Sequence, residues 1–248
     1  MVGSHGSIVW MIPDPAPASD LERVATSDGS CTLYSARYNQ TYGSSQGALS
    51  EAQAVFLENS GVKTRLAARE HVRVLEVGFG TGLNFFVTAQ ACLAQPGAQL
   101  HYTALEHTLL DALTVAPLGY GAHVGDDLLT AYLSWRGNDD KAPGMNVFEV
   151  GSVKLDLRLG EALTQNLPNA SFGAVYHDAF SPEANPELWH EDFLAKLVGA
   201  LVPGGALVSY CVQGAVRRRL RALGLEVGKL PGPVGGKREV LLARKPAL

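Results

Sequence analysis

Val72-Arg-Val-Leu-Glu-Val-Gly-Phe-Gly-Thr-Gly-Leu-Asn-Phe-Phe86 sets the architecture: a short apolar run stops at an acid and is followed by glycines on alternate positions. Val72, Val74, Leu75 and Val77 suit a strand buried on both faces, as in a parallel sheet. Gly78, Gly80 and Gly82 predict a tight turn whose backbone a ligand can approach closely, with a helix starting beyond it. A dinucleotide fingerprint places glycines at the first, third and sixth positions, but the sixth position here is Leu83. The spacing therefore speaks against a pyrophosphate cradle.

An acid followed by Gly-x-Gly-x-Gly resembles the first motif of methyltransferases that use S-adenosylmethionine (SAM). SAM carries no phosphate, so such a loop has to fit a cationic amino-acid tail and a ribose. Glu76, Gly78, Phe79, Gly80, Thr81, Gly82 and Asn84 are accordingly the candidate cofactor residues of this stretch.

Composition narrows the class. A chain of 248 residues, 46% hydrophobic and 18% charged, suits one large α/β domain with a small appendage. We divide it into a lead-in (1–20), an N-terminal hairpin-and-helix extension (21–62) and a main domain (63–248). No apolar run approaches the roughly 20 residues that span a bilayer, and no charged-then-apolar leader opens the chain, so a cytoplasmic protein without membrane contact is expected. Cys31, Cys92 and Cys211 are far apart, and the seven histidines lack metal-ligand spacing. Neither a disulfide framework nor a metal is expected. The net charge is −4, yet from Gln213 onward nine basic residues face two acidic ones. That asymmetry points to a local anionic partner.

In chain order, alternating Pro13, Pro15 and Pro17 predict an extended lead-in. Ser27-Asp28-Gly29-Ser30 predicts a hairpin turn within Glu22–Ser35, and residues 38–46 a polar, aromatic loop. Ala48, Ala52, Val55 and Phe56 predict a helix over 48–58. A crossover helix over 84–93 and a strand over 100–105 deliver Glu106, placed to accept hydrogen bonds from both ribose hydroxyls. Leu128–Trp135 predicts a helix, residues 137–144 a turn-rich loop, and Val153–Leu159 a strand that brings Glu161 toward the adenine amino group. A strand over 173–177 ends at Asp178, and Pro182 and Pro186 hold a loop open before a helix over 189–201. Pro203-Gly204-Gly205 predicts a turn into a strand over 206–210. A basic helix over 215–223 and two closing antiparallel strands, over 225–230 and 239–243, follow. The expected whole is a Rossmann-like, seven-stranded, mostly parallel sheet with an antiparallel final hairpin.

Leu75-Glu-Val-Gly-Phe-Gly-Thr-Gly-Leu-Asn-Phe85, Asp178-Ala-Phe-Ser-Pro-Glu-Ala-Asn-Pro-Glu-Leu-Trp189, Gly214-Ala-Val-Arg-Arg-Arg-Leu220 and Gly236-Lys-Arg-Glu239, in that order, resemble the methyltransferase domain of the MnmC family. Asp28–Ser35 and Gly47–Phe56 resemble its N-terminal part, so the resemblance runs over residues 22–244. It implies a class I SAM-dependent enzyme that methylates the 5-aminomethyl group of a modified wobble uridine in tRNA, often 2-thiolated. Two-domain members add an FAD-dependent oxidase. No second Gly-x-Gly-x-x-Gly unit follows here, so the resemblance is to a stand-alone MnmD-like form without FAD, whose amine precursor other enzymes supply. Cys211-Val212-Gln213 stands where the family often has Ser-Ser-Ala, and Pro233-Val234-Gly235 replaces its usual Gly-Phe-Gly.

Methyl transfer to an amine is an in-line displacement governed by alignment, so few catalytic groups are needed. Asp178 is the candidate that mainly aligns the amine, since a nearby carboxylate also favours its ammonium form, and that can receive the proton released after transfer; as a strand-end acid it also borders the cofactor. Phe180 and Trp189 are candidate walls for the base, with Pro182 and Asn185 in the same loop. Arg217 and Arg218, with Lys237 and Arg238, are candidate phosphate contacts. Two other classes remain open at this point: a small-molecule amine methyltransferase or aminopropyl-transferring relative, and a non-catalytic SAM- or RNA-binding module.

Overall fold

The structure is a computed structural model that describes residues 20–137 and 141–247. The proline-rich lead-in before Asp20, and Asn138-Asp139-Asp140 of the expected turn, lie outside the described residues. The chain opens with an antiparallel sheet of β1 (Leu21–Ala25), β2 (Cys31–Ser35) and β3 (Gln40–Thr41). The Asp28-Gly29 turn joins β1 to β2, with Gly29 at φ +82°. The short β3 lies inside the stretch expected as loop. It pairs Tyr34 with Thr41 and Ser35 with Gln40, and so aims residues 38–42 at the rest of the molecule. Asp28 accepts from Thr26, Ser30 and Ser50, fastening the hairpin to the next helix.

That helix is not uniform. α1 (Ala48–Glu51) widens into a π-helical stretch, Ala52–Glu58, in which the Asn59 amide donates to the carbonyl five residues back. The wider winding turns consecutive Val55, Phe56 and Leu57 all into the interior. α2 (Val62–Ala67), unforeseen in the sequence, leads to β4 (His71–Val77). α3 (Leu83–Leu93) and β5 (Gln99–Glu106) complete the first βαβ unit, near their expected limits.

The next stretch holds more structure than its irregular pattern suggests: α4 (Ala112–Val115), α5 (Gly121–Val124), α6 (Asp126–Arg136) and β6 (Gly144–Val150). β7 (Val153–Leu159), β8 (Phe172–His177), α7 (Glu191–Ala200), β9 (Leu201–Ser209), α8 (Gly214–Ala222), β10 (Glu226–Pro231) and β11 (Glu239–Arg244) follow. The main sheet has eight strands rather than seven, in the order β10-β11-β9-β8-β4-β5-β7-β6. The extra strand, β6, pairs antiparallel with β7 at the edge opposite the final hairpin. Two other boundaries shift. Trp189 belongs to a 3-10 turn, Pro186–Trp189, because His190 caps α7 and starts it later. Pro203-Gly204-Gly205 lies inside β9, where the register against β8 slips between Phe172 and Ala174.

Two apolar clusters sandwich the sheet. One joins α3, α6 and the π-helical stretch around Phe56, Phe85, Phe86, Tyr102 and Tyr132; Leu33 and Ala48 bring the N-terminal elements into it. The other joins α7 and α8 around Phe172, Leu194, Leu197 and Leu220. The carboxyl ends of the parallel strands stay open, which is where open α/β sheets bind ligands.

Candidate active site

The carboxyl ends of β4, β5 and β8 and the N-terminal elements enclose a cavity of about 770 Å³. That volume lies within the range of roughly 300–1,000 Å³ usual for small-molecule sites. Its floor is the glycine turn. Gly78, Gly80 and Gly82 all have positive φ (+86°, +52° and +82°). A Cβ at Gly78 would lie 2.8 Å from the Asp178 carbonyl, and one at Gly80 would lie 2.8 Å from the Tyr42 ring. Both glycines are therefore required by close approach as well as by φ. Gly82 does not line the cavity; it precedes α3 and packs on Phe79 and Phe86.

Glu106 ends β5 on the cavity wall. Its Oε2 accepts from the Phe79 and Gly80 amides at 3.0 and 2.9 Å, and its Oε1 from the Thr108 amide at 2.8 Å. The acid thus braces the glycine turn while facing the cavity. Burial raises its carboxyl above the ordinary value, against the pull of those amides. Thr81 also lines the cavity, and its Oγ1 accepts from the buried Tyr120 hydroxyl at 2.9 Å.

Glu76 is fully buried and does not reach the cavity, which corrects its assignment as a direct cofactor contact. Asn84 connects it to the site: its Nδ2 donates to Glu76 Oε1 at 2.9 Å and to Asp178 Oδ2 at 2.7 Å. Burial raises Glu76 to about 8. Asp178, directly after β8, faces the cavity and is raised well above the usual carboxylate range by burial, with the Glu51 and Glu76 charges adding to the effect. Asn84 and Lys237 oppose that rise.

The acceptor side is a layer of aromatics. Phe180 stacks on Tyr38 (centroids 4.3 Å apart) and meets Tyr42 edge-on at 5.0 Å. Gln40 makes two bonds to Ser181, from its Nε2 to Oγ at 2.9 Å and from the Ser181 amide to its Oε1 at 3.1 Å. These bonds hold the N-terminal sheet against the loop that follows Asp178. Asn185 and Glu161 line the same cavity; Glu161 caps a 3-10 turn by accepting from the Leu163 amide.

Trp189 is 1% exposed and is no wall of the cavity. It stacks on His177 at 4.1 Å, and its indole donates to the Phe180 carbonyl at 2.8 Å. It sets the loop from beneath, because an indole buried at this depth needs an acceptor for its N–H. Pro182 also lies off the cavity lining. Burial holds the His177 imidazole down at about 4, so it is neutral and structural.

Of the four basic candidates, Lys237 lines the cavity, and Arg217, Arg218 and Arg238 lie outside its lining. Lys237, in the turn between β10 and β11, lines the cavity with its ammonium 3.8 Å from the Tyr210 ring centroid. Arg238 and Arg218 are exposed, and Arg217, half-buried, donates to the Val212 carbonyl. Arg217 and Arg238 both act on Glu239, after the Lys229 hydrogen bond that mainly lowers it, so α8 and the hairpin share one basic patch. Arg219 and Arg221 are spent on the Trp189 and Val227 carbonyls. Glu51, Tyr38, Gln40 and Tyr42 join the site without having stood out in the sequence. For Glu51 a signal existed: helical spacing from Ala48 to Ala52 and Val55 puts this acid on the buried stripe.

Among the described residues no helix is long and apolar enough to cross a membrane. No group of three or more His, Cys, Asp or Glu among them is placed to hold a metal.

Residues 131–246 match the family model described as S-adenosyl-L-methionine-dependent methyltransferase. The bifunctional protein MnmC of Cupriavidus metallidurans, named for tRNA 5-methylaminomethyl-2-thiouridine biosynthesis, is 38% identical over 229 residues, which are 90% of this chain and 34% of that protein. Its counterpart in Ralstonia nicotianae is 36% identical over 87% of this chain and 33% of its own length. The chain thus spans about a third of the length of these curated relatives. Spermidine synthase from Thermotoga maritima superposes with a TM-score of 0.54 over 92% of this chain and 70% of its own at 12% identity, a likeness of fold alone. The crystal structure of MnmC2 from Aquifex aeolicus superposes with a TM-score of 0.77 at 31% identity, over 92% of this chain and 71% of that one. On that extent of shared sequence and fold, this chain belongs to the MnmC2 family of SAM-dependent methyltransferases.

Proposed function

We propose that the chain transfers a methyl group from SAM to the 5-aminomethyl group of a modified wobble uridine in tRNA, giving the 5-methylaminomethyl nucleoside. The observation that carries this reading is the Asp178 carboxylate, fixed by Asn84, on the same cavity as the glycine turn. The names of the curated relatives supply the acceptor.

The residues present suit SAM. Gly78 and Gly80 leave the turn bare for the amino-acid tail and ribose, Glu106 offers oxygens to the ribose hydroxyls, and Glu161 lies where an adenine amino group could be met. When bound, SAM supplies an electrophilic methyl on a sulfonium, which the amine takes as the carbon–sulfur bond breaks with its electron pair going to sulfur. The protein's part is alignment. Asp178 accepts an N–H of the amine, turns its lone pair toward the methyl and takes up the proton that must leave. A carboxylate whose proton affinity is raised by burial serves for that uptake. Phe180, with Tyr38 and Tyr42 behind it, offers an aromatic wall to the base, and Asn185 a polar group at its edge. Bases without a duplex partner are commonly held on such faces. Arg217, Arg218, Lys237 and Arg238 meet the phosphates around the anticodon. The amine itself must come from a reaction that installs or unmasks the aminomethyl group.

The test is nucleoside mass spectrometry of tRNA bearing 5-aminomethyl-uridine after incubation with the protein and SAM. The expected result is conversion to the methylated nucleoside. Methylation of free polyamines or other small amines, with the tRNA untouched, would sink the tRNA reading.

A further inference from the structure

Among the described residues, Glu51 is a buried acid on the cavity that the methyl transfer above leaves unused. It closes α1, on the stripe where Ala48, Ala52 and Val55 pack into the core, and is 7% exposed. Its Oε1 accepts from the Ser44 amide at 3.0 Å. Its Oε2 has no hydrogen-bond partner among the described residues, although the side chain lines the cavity. Glu51 Oε2 is not among the fully buried unpartnered atoms, so it opens onto the cavity, where a donor can reach it. Asp178 lies close enough for the Glu51 charge to raise its carboxyl, and the cation in range of both acids is Lys237. That lysine is exposed and rests on the Tyr210 ring, in ion-pair contact with neither acid. Glu51 and Asp178 thus line one cavity, and neither carboxylate is held by an ion pair among the described residues.

We propose that Glu51 binds the acceptor amine in its ammonium form opposite Asp178, and so selects an amine over a hydroxyl as the methyl acceptor. This rests on the amine-acceptor reading above. On entry the ammonium donates to Glu51 Oε2 and to Asp178. One proton passes from nitrogen to the Asp178 carboxylate, which frees the lone pair. The nitrogen–carbon bond forms as the carbon–sulfur bond breaks, sulfur keeps the electron pair, and the product is a secondary ammonium still held by Glu51. The proton on Asp178 is then released to water. The amino-acid end of SAM is an ammonium too, and the experiment separates the two sources.

Wild type and Glu51→Gln, each loaded with S-adenosylhomocysteine, are titrated by calorimetry with two anticodon stem-loop RNAs differing only in 5-aminomethyl or 5-hydroxymethyl on the wobble uridine, and with propylammonium chloride. Wild type should prefer the amine RNA by about tenfold or more, and Glu51→Gln should cut that preference to about threefold or less, as expected for removing one charged partner of a buried pair. Affinity for S-adenosylhomocysteine should stay within about threefold of wild type, which also reports an intact fold. Retention of the preference by Glu51→Gln overturns the proposal, as does a wild type without it. Loss of S-adenosylhomocysteine affinity with the preference intact assigns Glu51 to the cofactor's ammonium and overturns it equally. If wild type fails to methylate the amine RNA, the acceptor reading fails and the propylammonium titration decides: binding weakened about fivefold or more in Glu51→Gln supports the ammonium site, and equal binding overturns it.

Discussion

The inside of the cavity and the surface beside its mouth carry opposite charge. Glu51, Glu106, Glu161 and Asp178 line the interior, with Glu76 buried behind them, whereas Lys237 lines the cavity from the hairpin that also carries Arg238, with Arg217 and Arg218 on α8. Glu51 and Glu76 are buried, Glu106 and Asp178 are half-buried, and the proton affinities of all four are raised. Arg218, Lys237 and Arg238 are exposed to solvent, where a single ion pair contributes little. The two regions therefore work by different physics. In the proposed function the interior discriminates among small cations by desolvation and geometry, and the basic residues attract a polyanion by summed, salt-screened charge.

That division is most open to challenge at Asp178. Asp178→Asn should lower kcat by about 100-fold or more, since the aligning and proton-accepting group is gone while Asn84 keeps an oxygen to donate to. Binding of S-adenosylhomocysteine by calorimetry should change little. A kcat within a few fold of wild type would return the site to a binding role alone. Gly78→Ala comes next. Its φ of +86° and the 2.8 Å approach to the Asp178 carbonyl should cost about 2–3 kcal/mol of stability, read as a drop in the chemical-denaturation midpoint, together with weaker cofactor binding.

On α8, Arg217→Ala with Arg218→Ala should weaken tRNA binding about tenfold at low salt. The log–log salt dependence should flatten by roughly 0.7–0.9 for each phosphate the variant no longer meets. Cofactor affinity should be untouched. An unchanged salt slope would remove these arginines from the interface. A pH-dependent effect tests the interior acids. Burial raises Glu76 from 4.5 to about 8, so between those values the folded chain retains a proton that the unfolded chain has released. Its contribution is therefore present below about pH 4.5 and fades as pH rises toward 8. Glu76→Gln removes that titration while leaving Asn84 an acceptor. Its Tm should exceed wild type at pH 8.5 and match it near pH 4.5, read by thermal denaturation at both values.

Local chemistry explains what could be read in advance. The strand–turn–helix around Gly78 was legible because buried parallel strands and positive-φ turns leave strong marks in residue type. β6 was not: its outward positions carry the apolar Met145 and Val147, both exposed, so the inward Phe148 does not stand out as one step of an alternation. The aromatic run Phe180 to Trp189 pointed to a site, but not to which ring faces it. Phe180 reaches the cavity, and Trp189 goes to the core because an acceptor for its N–H lies there.

Residue order alone was enough for the cofactor class, for Asp178 and Glu106 as strand-end acids, and for the basic C-terminal quarter. Each depends on neighbours a few residues away, which set backbone conformation and local charge. It took the packed molecule to show that Glu76 bonds to Asn84, that Tyr38 and Gln40 come from the N-terminal sheet to brace the loop after Asp178, and that Glu51 and Asp178 line one cavity. Those partners are separated by up to 141 positions in the chain, and no local propensity reports an encounter made by packing one layer on another.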